Sequence, residues 1–165
     1  MKHALLVTVV AFAGCSDDVD LTGTYMVTRE ASSSPCGVDA PITDGKPIIR
    51  FEKQSLLGSD FFQFERCDDA AGTGCSSAGL FAALSIPTDR GWDGQTSSSS
   101  GSGGRCVLSF RASQVTLEGD HLVFEETARD GELMIPDAAC EPETAEARQD
   151  ELACSEHTVL EADRI

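Results

Sequence analysis

The chain contains no asparagine, so it offers no acceptor for N-linked glycosylation and no asparagine amide to steady an oxyanion. It also lacks the G-x-S-x-G elbow of serine hydrolases, an alternating acidic calcium loop and a phosphate-binding loop. Gly45-Lys46 has no upstream glycine at the needed spacing. Neither C-x-x-C nor H-x-x-H occurs, and after His3 the only histidines, His121 and His157, stand apart. No metal site and no cofactor are therefore expected. Basic residues are scarce, 12 Lys+Arg against 28 Asp+Glu, for a formal charge of −16. Such an excess repels phosphate backbones, which excludes nucleic acid as a partner. Long apolar runs are missing too. Residues 4–13 carry no charge, yet as a helix they rise only about 15 Å against a hydrocarbon core of about 30 Å.

What is present is a globular composition. The chain has 165 residues, 41% hydrophobic and 24% charged, enough for one domain with one core. Its start has the layout of a secretory signal: Met1-Lys2-His3, the uncharged run, then small residues. The run ends in Phe12-Ala13-Gly14-Cys15, which resembles the lipobox of bacterial lipoproteins, with Phe12 where leucine is usual. The resemblance implies cleavage before Cys15, lipid on its thiol and acylation of the new amino terminus. It also implies a cell-envelope location, outer membrane rather than inner, because Ser16 rather than aspartate follows the cysteine. The plain alternative is an ordinary signal peptide cleaved after Ala13 or Gly14, which leaves Cys15 as a disulfide partner. The expected organisation is a signal peptide at 1–14, the lipidated cysteine and an acidic tether at 15–22, and a β-rich domain at 23–165. The tether would reach about 17 Å from the cysteine when extended.

With Cys15 assigned to lipid, Cys36, Cys67, Cys75, Cys106, Cys140 and Cys154 form an even set in an exported chain, and three disulfides are expected. Spacing does not fix the pairing. Cys67 with Cys75 across a turn-like stretch is the first expectation. Cys140 with Cys154 requires the chain to fold back, and Cys36 with Cys106 follows by elimination.

The domain reads as short strands separated by turns, at 25–28, 48–52, 61–65 and 80–86. Residues 97–104 are only serine and glycine, and are expected as a mobile loop, because they bury no apolar area to offset ordering. Cys106, Leu108, Phe110 and Ala112 share a strand face. Val115-Thr116-Leu117-Glu118 and His121-Leu122-Val123-Phe124-Glu125 flank Gly119-Asp120, a two-residue hairpin signal that sets Leu117 opposite Leu122 and Val115 opposite Phe124. A strand at 132–135, a helix at 142–152 and a last strand at 157–162 complete the pattern. Adjacent acids such as Glu125-Glu126 are expected to be solvated.

This adds up to an all-β, mainly antiparallel fold, a roughly eight-stranded barrel or sandwich with one helix before the last strand. Leu21-Thr22-Gly23-Thr24-Tyr25 resembles the Gly-x-Trp opening of lipocalin-like barrels, with Tyr25 in the tryptophan position. The resemblance implies that Arg164 stacks on that ring. No residues form a catalytic set. The functional expectation is a lipid-anchored, non-catalytic binding or interaction domain, contacting the membrane through Cys15 and an envelope protein. The alternatives are a carrier of a small apolar ligand and an unrecognised enzyme. An interior filled by Phe62, Phe64, Leu108, Phe110, Leu117, Leu122 and Phe124 would argue against carriage.

Overall fold

A computed structural model describes residues 18–77 and 84–165. The apolar amino-terminal run, Cys15 and residues 80–83 of the expected 80–86 strand lie outside the described residues. Along the chain come β1 (Gly23–Ser33), β2 (Ala40–Pro41), β3 (Ile48–Leu56), β4 (Ser59–Cys67), β5 (Ser76–Ser77), β6 (Leu84–Thr88), β7 (Gly91–Ser102), β8 (Arg105–Glu118), β9 (His121–Met134), the helix α1 (Pro142–Ala147) and β10 (Ala153–Arg164). The strands form one antiparallel sheet in the order β10-β9-β8-β7-β6-β4-β3-β1, to which the two-residue β2 and β5 add by pairing with β1 and β4. The sheet closes because β1 also pairs with β10, from Tyr25 opposite Arg164 to Ser33 opposite His157. The fold is thus an eight-stranded barrel rather than a sandwich, and closure removes the unpaired edges an open sheet would present.

The up-and-down order gives the barrel two ends. The floor carries the entering chain, the turns at 57–58, 89–90 and 119–120, and Arg164. The rim carries the longer connections, including α1. Inward positions from all eight strands form one apolar cluster, among them Tyr25, Phe51, Phe64, Val115, Phe124 and Leu160. Each such buried side chain favours the fold by about 1.5–3 kcal/mol. Phe64 stacks on Phe124 at 5.6 Å between centroids, and Phe51 leans on Phe64 at 5.2 Å.

The 115–124 hairpin has the expected register, Val115 opposite Phe124 and Leu117 opposite Leu122. Gly119 supplies the positive φ, +64°, that the tight turn demands. β8 is longer than expected and buries opposite faces in its two halves. Val115 points inward, but Cys106, Leu108 and Phe110 point outward and are covered by Ala145 and Leu152. Leu108 and Phe110 therefore do not fill the interior.

The serine and glycine stretch is not a loop. Residues 97–102 belong to β7 and pair one to one with β8, Ser97 opposite Phe110 and Ser99 opposite Leu108; only Gly103 and Gly104 turn. The backbone ladder orders what the side chains alone would not, a tertiary override of composition. The small residues leave room for α1, and the Ser99 hydroxyl donates to the Cys140 carbonyl at 3.2 Å.

The expected helix at 142–152 is shorter. α1 ends at Ala147 and tightens into a 3-10 turn over Gln149–Glu151, which brings Leu152 down onto Gly131 of β9. A six-residue helix has little stability of its own; the burial of Ala145 and Leu152 and the bond to Cys140 hold it.

Three disulfides are present. Cys67 pairs with Cys75 as expected, but the other two differ: Cys36 bonds Cys154, and Cys106 bonds Cys140. Packing of α1 outside β8 sets Cys140 beside Cys106. Closure of β1 on β10 sets the connection after β1, with Cys36, beside Cys154 at the start of the last strand.

Candidate functional site

The floor is built by the residues immediately before β1. Leu21 is fully buried, and Val19 packs against the same cluster. The Trp92 indole N–H donates to the Val19 carbonyl at 2.6 Å, and the Tyr25 hydroxyl donates to the Leu21 carbonyl at 2.9 Å. Arg164 lies over the Tyr25 ring at 5.2 Å and donates to its hydroxyl at 2.7 Å and to the Asp20 carbonyl at 3.2 Å. The stacking that the lipocalin-like resemblance implies at Tyr25 and Arg164 is thus present. Burial raises the Tyr25 phenol above its ordinary range, against the pull of Arg164, so the ring stays neutral under the guanidinium. Val19 and Leu21, within the expected tether at 15–22, pack against the barrel's apolar cluster.

Rimward of the aromatic layer the interior turns ionic. On β1 and β4, Glu30 and Arg66 form a two-pronged ion pair, with Glu30 8% and Arg66 20% exposed, and the arginine also lies 5.8 Å over the Phe64 ring. Across the barrel, Arg111 of β8 donates to Glu126 of β9 at 3.1 Å, and the Ser113 hydroxyl donates to the second carboxylate oxygen at 3.1 Å. Glu156 of β10 stands 4.0 Å from the same arginine. Glu126 is buried rather than solvated, in contrast to Glu125, and burial lifts its carboxyl above the ordinary value despite Ser113 and Arg111. Nearer the rim, burial works against the Asp130 carboxylate, but hydrogen bonds from Ser109 and Ser155 more than offset it and hold it below the usual range. The alternation Leu122, Phe124, Glu126, Ala128 is the signal that could have placed Glu126 inside.

A serine, a histidine and an aspartate do meet at the seam. His157 Nδ1 lies 3.1 Å from Asp39, and the Ser33 hydroxyl donates to that same carboxylate at 2.8 Å. The wiring is not that of an activated nucleophile, since the serine proton goes to the aspartate rather than to the imidazole. The cluster instead pins the connection after β1 beside the Cys36–Cys154 bond. His121 likewise bonds Asp163 at the floor, 2.8 Å away. Glu65, Cys67 and Cys75 approach one another closely enough for a metal, but both sulfurs are committed to the disulfide, and the carboxylate alone is no site.

Of the residues singled out in the sequence, the six domain cysteines serve as staples, and Cys15 lies outside the described residues. Comparison with family models, with curated proteins and with solved structures finds no match for this chain.

Proposed function

We propose that the protein is a bacterial envelope lipoprotein, held in the outer membrane by acyl chains on Cys15, whose barrel is a non-catalytic binding or interaction domain. The observation that carries this reading is the docking of Val19 and Leu21 into the barrel floor, four and six residues after Cys15. A lipid on Cys15 would hold that floor against the membrane and turn the ionic rim half towards other envelope components. Two or more acyl chains give stable anchoring, whereas one is marginal. Packing of Phe51, Phe64 and Phe124 across the lower interior, and of Arg66–Glu30 and Arg111–Glu126 beyond it, weighs against carriage of an apolar ligand. Metabolic labelling with palmitate tests the anchor. Label is expected on the wild type and lost in Cys15→Ser, and equal label in both would overturn it.

A further inference from the structure

The β3–β4 hairpin turns at the floor through Leu57 and Gly58, with φ of +53° and +87°. Asparagine and glycine take that conformation readily and leucine rarely does. Leu57 is 98% exposed and Leu56 64% exposed. The leucine therefore strains the turn while adding nothing to the barrel's packing, so its use lies outside the chain. Gly58, Ser59 and Asp60 line a cleft of about 310 Å³ together with Asp18 and Pro87, which makes the hairpin tip a direct neighbour of the entering chain. Cys15 precedes Asp18 by three residues, a reach of about 11 Å at full extension.

Resting on the reading that Cys15 carries lipid, we propose that Leu56 and Leu57 insert into the leaflet holding that lipid. The tip is then a second membrane contact, beside the first, that sets the barrel upright. The charges around it select the surface. Lys53 is neutralised by Asp60 at 2.7 Å, and Asp18 and Asp20 add negative charge nearby. The contact suits a zwitterionic, amine-bearing headgroup such as phosphatidylethanolamine and disfavours an anionic one.

The test uses the full chain, processed in cells and reconstituted into phosphatidylethanolamine vesicles doped with phosphatidylcholine brominated along its acyl chains. Trp92 is the only tryptophan and is 2% exposed, so Leu57→Trp adds one reporter at the tip. Leu56→Trp repeats the reading without touching the turn, and Met134→Trp, 74% exposed at the rim, is the reference. Blue-shifted, quenched emission from the two tip reporters and unquenched emission from the rim are expected. Vesicle-bound protein with an unquenched tip overturns the insertion and leaves the Cys15 anchor standing. If Cys15→Ser floats with the vesicles as the wild type does, the anchor reading fails instead. Quenching at the tip of that variant would then support insertion by itself, and its absence would overturn it. Protein that floats in neither form overturns both.

Discussion

At the scale of single residues, the Arg111–Glu126 pair is asymmetric. Glu126 is nearly out of solvent, and among the described residues its ion pair is with Arg111, whereas Arg111 is 27% exposed and keeps Glu156 within 4.0 Å. Arg111→Ala leaves the buried charge with the Ser113 hydroxyl but no ion-pair partner, and should cost about 3 kcal/mol in denaturant unfolding; Glu126→Ala should cost about half of that. A larger loss for the glutamate variant would contradict this account. The pH dependence has a definite sign. Because burial raises the folded-state value of Glu126 above the ordinary 4.5, folding favours its protonated form. Its contribution is complete below the unfolded value and is lost as pH rises through the folded one. Wild type should lose stability relative to Glu126→Gln as pH climbs out of the carboxylate range, measured as the difference between the two denaturation curves. Leu57→Asn should do the opposite of most substitutions. Relief of the left-handed leucine should stabilise the barrel by about 1 kcal/mol, and a fall in melting temperature would show that the turn relies on leucine after all.

At the scale of elements, α1 acts as a buttress on the outer face of β8, held by Cys140 and by two apolar side chains. Leu152 is 3% exposed and rests on Gly131. Leu152→Ala should cost about 2–4 kcal/mol, and hydrogen exchange should rise first in residues 137–152 while the β3–β4 hairpin stays protected. How far the elements could be read from sequence followed from how many local signals agreed. Between 115 and 124 the period-two pattern, the glycine turn and the cross-strand pairs all coincide, and strand, turn and register follow. β7 carries only part of such a signal: Gly103-Gly104 marks a two-residue turn, but Ser97 to Ser102 show no apolar alternation and order on the ladder that β8 offers just beyond that turn. Leu108 and Phe110 had the right periodicity, but a strand covered on both faces reads the same whichever face meets the barrel. Glu125 and Glu126 point to opposite faces of the strand, yet both read as solvated, because a carboxylate is buried only with partners, and Arg111 and Ser113 reach Glu126 through the pairing of β8 with β9.

For the whole molecule, the staples differ mainly in the span they close: 118 residues for Cys36–Cys154, 34 for Cys106–Cys140 and 8 for Cys67–Cys75. Restriction of the unfolded chain then predicts losses of about 5, 4 and 2.5 kcal/mol on removing them one pair at a time. Serine replacements compared in the same denaturant series should follow that order, and a costlier loss from the shortest loop would show that native packing rather than chain entropy decides. Lys and Arg are too few to balance the acids overall, yet three of the nine arginines are committed to the barrel's interior and floor. Two sit inside on Glu30 and Glu126, and one sits over Tyr25.

The longest of these bonds also sets how the molecule carries mechanical load. Cys36 follows the first barrel strand and Cys154 stands at the start of the last, so tension applied between residues 18 and 165 crosses the sulfur bridge directly. Everything from β2 to α1 lies off that line of force. Only β1 and β10 bear it, as two antiparallel strands hydrogen-bonded along nearly their whole length. Pulling those two ends apart thus strips the seam while most of the chain between the two cysteines stays closed as a covalent ring, ready to zip the seam again when the tension falls.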